Sequence, residues 1–154
     1  MALLAILALL LIGNFGTTLK RGRDARRKND LNQLQKALET YYEDNKTYPT
    51  FDIFSGPNRK FCKTISCSSG ETVYMIKTPT DPISTYVYKY VPETPSGGVS
   101  VYYYLYSNIE NSLDQGSGVS FTGFTDLTKC DIADIVSCKY YVSSSNAAPL
   151  TPNP

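Results

Sequence analysis

Four cysteines, fourteen carboxylates and no histidine set the chemistry open to this 154-residue chain. Without an imidazole there is no histidine base, no Ser-His-type triad and no common zinc site. The serines gather in turns, and none lies in a Gly-x-Ser-x-Gly setting. No glycine-rich loop precedes a helix, so nothing cradles a phosphate. The carboxylates show no paired arrangement suited to acid–base work. The residue types therefore point away from an enzyme and from a small-molecule substrate.

The cysteines are Cys62, Cys67, Cys130 and Cys138, in a head rich in Tyr, Ser and Thr. Such usage favours an oxidising, extracytoplasmic setting. Four cysteines allow three pairings. The spacing favours the local one, Cys62–Cys67 with Cys130–Cys138, because each bridge closes a short loop. A metal site or a redox pair is the alternative, but neither spacing is the C-x-x-C that either prefers.

The elements that carry these residues divide the chain in two. It opens on a nearly unbroken apolar run that is rich in the strong helix formers Leu and Ala. The residues are Ala2, Leu3, Leu4, Ala5, Ile6, Leu7, Ala8, Leu9, Leu10, Leu11 and Ile12, with Phe15 just beyond. Apolar on every side, this helix must be buried all round, in lipid or in protein. As a helix, residues 1–15 cover only about 22 Å, against the roughly 30 Å of a bilayer core. No basic n-region and no Ala-x-Ala site marks a signal peptide. Gly13, Asn14 and Gly16 follow as a weak point, where an interruption of the helix is expected in an assembled state.

A basic patch comes next: Lys20, Arg21, Arg23, Arg26, Arg27 and Lys28, with only Asp24 among them. Net charge is only +1, so the chain as a whole has no pull toward nucleic acid. The patch has three readings. It is a cytoplasmic membrane flank, a nucleic-acid contact, or a solvated flank that pairs with Asp30, Glu39 or Glu43 of neighbouring copies. The third is the expectation. Leu31, Leu34, Leu38 and Tyr41 or Tyr42 then form one helical stripe with Ala37 beside it, and Asn29, Asp30 and Lys36 fall on the solvated side. Asp44-Asn45 and Pro49 end the helix.

About a hundred residues follow, enough for a modest core. Phe51, Ile53 and Phe54 are expected to tuck onto the helix, with a turn at Gly56-Pro57-Asn58. Strands are expected near residues 72–77, 85–91, 99–106 and 139–143, with a turn over residues 92–98. The meander should set one face on the helix and leave the other wet, with tyrosine rings on the sheet and hydroxyls in water. Expected boundaries are an apolar helix (1–19), an amphipathic helix (20–48), a globular β-rich head (49–143) and an extended Ser/Pro-rich tail (144–154). The fold class is α+β, a long N-terminal helix on a small antiparallel sheet.

Three stretches carry a family resemblance. One is Arg23-Asp-Ala-Arg-Arg-Lys-Asn-Asp-Leu-Asn-Gln-Leu-Gln-Lys-Ala-Leu-Glu-Thr-Tyr-Tyr-Glu-Asp-Asn-Lys-Thr-Tyr-Pro49. The others are Tyr74-Met-Ile-Lys-Thr-Pro-Thr-Asp-Pro82 and Tyr102-Tyr-Tyr-Leu-Tyr-Ser-Asn-Ile-Glu-Asn111. The chain resembles bacterial type IV pilins and the major pseudopilins of type II secretion, most specifically over the first stretch. It departs from them at the start: the fifth position is Ala5 where family members carry Glu, and about nine residues are missing by alignment on Asn14-Phe15. Leader processing and N-terminal methylation are therefore not assigned to Met1.

The resemblance implies a pilin that polymerises through its helix into an extracellular surface filament serving adhesion, motility or DNA uptake. It would be anchored in the inner membrane beforehand and handled by pilus or secretion machinery. A secretion pseudopilus, or a membrane-anchored monomeric binding domain, is the alternative. The secretion branch also holds calcium in a loop comparable to residues 112–138, which makes Asp114, Asp126, Asp131 and Asp134 candidate ligands. Their spacing lacks an EF-hand pattern, so solvated loop carboxylates and no cofactor are the expectation.

Overall fold

A computed structural model describes residues 2–94, 98–124 and 128–152, with side chains from residue 16 onward. The helix α1 (Ala2–Asn45) runs without interruption for 44 residues. Its end is built locally. The Asn45 side-chain amide donates to the Tyr41 carbonyl, and the Lys46 N–H donates to the Tyr42 carbonyl. Lys46 then turns into the left-handed region at φ 58°, and Pro49 follows.

The expected stripe is buried. Leu31, Leu34 and Leu38 have no exposure, and Ala37 and Tyr41 are buried beside them. The stripe also continues toward the N-terminus with the same spacing, through Arg27 and Asp24, and these too are buried. Asp30 was expected to be solvated and is instead buried, accepting a hydrogen bond from the Tyr88 hydroxyl at 2.8 Å. Asp24, Arg27 and Asp30 are thus packed against the head, while Lys20, Arg21 and Arg26 stay exposed.

The head begins with Ile53, Phe51 and Phe54 against the helix core. A single 3-10 turn (Pro57–Arg59) leads to β1 (Phe61–Cys62), which pairs antiparallel with β2 (Val73–Met75). The main sheet is β3 (Lys89–Glu93), β4 (Tyr102–Ser107) and β5 (Tyr140–Ser143), antiparallel, with β4 in the centre. β3 starts later than residues 85–91 and takes in Pro92, which the sequence places in a turn. Pro92 sits opposite Tyr103 on an edge strand, the place in a sheet where a missing N–H is tolerated.

β4 is buried on both faces. Tyr103 and Leu105 face the helix cluster, while Tyr104 and Tyr106 join a second cluster with Phe124, Cys130 and Cys138. The face expected to be wet is therefore covered. A disulfide and the C-terminal stretch cover it. The hydroxyls are likewise bound within the protein: Tyr103 and Tyr48 donate to Glu39, and Tyr90 donates to the Pro49 carbonyl. Burial, first of all, raises the pKa of all three phenols.

Both local disulfides are present, Cys62–Cys67 and Cys130–Cys138. Gly118, at φ +76°, lies where a Cβ would meet the Tyr141 carbonyl. That close approach lets Tyr141 donate its N–H to the Gly118 carbonyl.

The C-terminal stretch is extended but docked. The Tyr104 hydroxyl donates to the Ala148 carbonyl, the Leu150 N–H donates to the Tyr141 hydroxyl, and Phe124 bridges to Pro152. A chain ending at Ser143 should fold with a lower urea midpoint, losing roughly 2–4 kcal/mol. An unchanged midpoint would mean that residues 144–152 only rest on the surface. Non-reducing peptide mapping should return the two local cystines and no cross-pairing of Cys62 with Cys130.

Candidate functional site

The charged part of the stripe forms the most elaborate polar arrangement described. The Arg27 side chain is wholly buried. Its Nε and Nη2 donate to the two oxygens of Asp81 at 2.7 and 2.9 Å, a two-pronged pairing. Its Nη1 donates to Asp24 at 2.7 Å and to Glu110 at 2.6 Å. The Tyr86 ring lies 5.6 Å from the guanidinium carbon. Arg23 makes a second two-pronged pair with Glu110, at 2.8 and 2.6 Å.

Two of the three carboxylates, Asp24 and Asp81, are also tied to backbone. Asp24 accepts N–H bonds from Glu110 and Asn111, which closes the chain just after β4 onto the helix. Asp81 accepts from the N–H of Ile83 across Pro82, and the proline holds Asp81 extended, as this turn requires. One turn farther along the helix, Lys28 donates to Asp114 at 2.6 Å. The three stretches that carry the resemblance supply the five groups at the centre: Arg23, Asp24 and Arg27 from the first, Asp81 from the second, Glu110 from the third.

The electrostatics follow from this geometry. Burial works against the charge on Arg27, but bonds from Asp81, Glu110 and Asp24 outweigh it and hold the guanidinium protonated. The side-chain bonds from Arg23, with those from Arg27, bring Glu110 down to about 2. Desolvation pushes the Asp114 carboxyl up, yet Lys28 and the Gly116 N–H bring it below its ordinary value. These groups position elements. They leave no free nucleophile and no open coordination place. Beside them a cleft of about 320 Å³ is lined by Phe54, Arg59, Asp81, Tyr86, Tyr88 and Tyr90 among others. The Tyr88 and Tyr90 hydroxyls are turned away from it into bonds with Asp30 and Pro49.

Three of the four calcium candidates are described, and the chain's own donors meet each of these three. Asp114 holds Lys28 and the Gly116 N–H. Asp131 caps the N–H groups of Ile135 and Val136. Asp134 pairs loosely with Lys89 at 3.4 Å. Asp126 lies outside the described residues. Among the described residues no group of three His, Cys, Asp or Glu side chains is placed to hold a metal ion.

The assembly residues Ala2, Leu3, Leu4, Ala5, Ile6, Leu7, Ala8, Leu9, Leu10, Leu11, Ile12 and Phe15 lie on α1, upstream of the described side chains. Gly13, Asn14 and Gly16 belong to the continuous helix of this single chain. The interruption expected of them concerns an assembled state. Residues 16–22 are exposed, and the first ion pair to the head among the described residues joins Arg23 to Glu110. Among the described residues no helix is long and apolar enough to cross a membrane.

Reading the sequence for apolar periodicity misses the Arg27 cluster, because charges are assigned to solvent. The available signal was position: Arg27 and Asp24 precede Leu31 by four and seven residues, on the same face. Comparison with protein-family models, with curated proteins and with solved structures finds no match.

Replacing Arg27 by Met should leave three carboxylates facing one another and cost about 3–5 kcal/mol. Arg27→Lys should fall between, keeping the charge but losing the fork. Because the folded-state pKa of Glu110 is depressed, its contribution is present above the ordinary carboxylate value and is lost as pH falls from about 5 toward 2. Urea midpoints measured across that range should drop less steeply in Glu110→Gln than in the parent. Parallel curves would remove Glu110 from the acid response.

Proposed function

We propose that the chain is a pilin, the structural subunit of an extracellular type IV pilus-like filament, polymerising through its N-terminal helix. One observation carries this: the 44-residue helix is tied to the head by ion pairs that, among the described residues, begin only at Arg23. At 1.5 Å per residue, 44 residues extend about 66 Å. Arg23 stands roughly halfway along that length. The part beyond is exposed at residues 16–22 and continues into the all-apolar sequence. A helix that is apolar all round needs an apolar partner.

Before assembly that partner is the inner membrane. In the filament it is the same segment of other copies, bundled at the axis with the heads outside. Each copy then uses one surface to meet the next copy's different surface, a contact that does not close and so makes a fibre. Eight Leu and Ile residues in the first twelve positions are worth on the order of 10–20 kcal/mol against water, at about 1.5–3 kcal/mol for each fully buried side chain. Relative to lipid the drive shifts to close packing, where Ala2, Ala5 and Ala8 let helices approach. The Arg27 cluster keeps the head rigidly oriented on the helix, so helix packing dictates head packing.

A chain starting at Lys20 should be a folded, soluble monomer by sedimentation. Fibres from that chain would place the assembly energy in the heads and overturn the reading. In the full chain, Ala5→Phe or Ala8→Phe should reduce fibre yield far more than Leu9→Ile.

A further inference from the structure

The sign of charge changes along the exposed residues of α1, on the outer face at Arg21 and Arg26 and, where the helix has left the head, on the stripe side at Lys20. Near the exit from the head stand Lys20, Arg21 and Arg26, all exposed. Among the described residues Lys20 and Arg21 have no ion-pair partner, and Arg26 reaches only Asp30 at 3.7 Å. Asp30 is already bonded to Tyr88. At the other end stand Glu43 and Asp44, also exposed. Glu43 meets only Lys46, at 3.4 Å, with both side chains about three-quarters exposed (77% and 74%). So exposed a pair is weak and yields easily to a better partner. Between the two ends the face carries Asn29, Asn32, Gln33 and Thr40, with Lys36 as its one charge.

The structure also removes the other partners considered for these cations. Asp30 is buried, and Glu39 accepts from both Tyr48 and Tyr103. Of the helix carboxylates, Glu43 and Asp44 are the exposed ones, Asp44 while also accepting from the Tyr74 hydroxyl at 3.1 Å. They cannot meet the collar of their own chain. Arg21 and Glu43 are 22 residues apart on one helix, about 33 Å, and Arg26 and Asp44 are 18 apart, about 27 Å.

We infer that the basic collar of Lys20, Arg21 and Arg26 docks on the acidic foot of Glu43 and Asp44 of a second copy, displaced by about 27–33 Å along the helix direction. This rests on the filament reading and adds its register. The apolar segments supply adhesion without direction, and they tolerate sliding. The charged ends penalise every displacement that brings collar to collar or foot to foot. The two surfaces differ, so the contact repeats without closing.

The test is zero-length carbodiimide coupling of assembled full-length chains, followed by peptide mapping. Arg21→Lys, which keeps the charge, supplies a second reactive amine. The expected product joins Lys20 or the amine introduced at position 21 to Glu43 or Asp44. Within one chain the helix makes that product impossible, so each such crosslink is intermolecular. In parallel, Lys20→Glu with Arg21→Glu should lower filament yield at least tenfold. Glu43→Lys with Asp44→Lys should do the same, and the four changes together should restore it. Circular dichroism of each variant separates lost assembly from lost folding.

Filaments that form without the crosslink, and whose yield ignores the reversals, overturn the docking while leaving the filament reading intact. If the crosslink is missing but Lys20→Glu with Arg21→Glu weakens binding to phosphatidylglycerol vesicles, the collar's partner is an anionic membrane surface, and the docking is equally overturned. Absence of any filament overturns both.

Discussion

The guanidinium of Arg27 is buried without exposure and must stay charged, and much of the head is arranged to satisfy it. An isolated cation at that depth would cost many kcal/mol. Here three carboxylates meet it, each from a different part of the chain: Asp24 from its own helix, Asp81 from the loop before β3, and Glu110 from the exit of β4. Because these bonds are directional, they set position as well as energy. Asp24 in turn holds the backbone at Glu110 and Asn111, so the end of the central strand is fixed to the helix at atomic distance. Weakening any one carboxylate therefore loosens a strand end or a loop as well as an ion pair.

The helix uses one stripe in two ways. From Leu31 to Tyr41 it buries hydrocarbon and ring against Phe61, Tyr90, Tyr103 and Leu105. From Asp24 to Asp30 it buries charge against charge and phenol. Apolar packing alone gives cohesion but restrains rotation and sliding weakly. The ionic half supplies that restraint where the helix leaves the head. On the proposed filament reading this restraint matters, since a head that swivelled at the exit would blur the order that helix packing imposes.

Much of this was visible in the sequence, and what was missed shares one cause. The Leu31, Leu34, Leu38 and Tyr41 stripe, the two short cystine loops, and the strands around residues 102–107 and 140–143 follow from periodicity, spacing and β-branched or aromatic content. Charge and polarity misled. Arg27, Asp24 and Asp30 are buried because partners from distant segments converge on them, and no local pattern announces such partners. Tyrosine hydroxyls expected in water found Glu39, Asp30 and a backbone carbonyl. Pro92 fits a strand because that strand is at the edge, a fact of topology. The residues after Ser143 have a disordered composition but help to bury the rings of Tyr104 and Phe124. The calcium candidates were the least legible, since a set of aspartates in one loop looks the same whether it binds an ion or its own backbone.

The most direct measurement is a helical reconstruction of the purified full-length chain by electron cryomicroscopy. The account predicts fibres with residues 2–19 bundled at the axis, heads outside, and the Arg27 cluster intact in every subunit. Discrete particles, or fibres whose axis is built from heads while the apolar helices point outward, would contradict it.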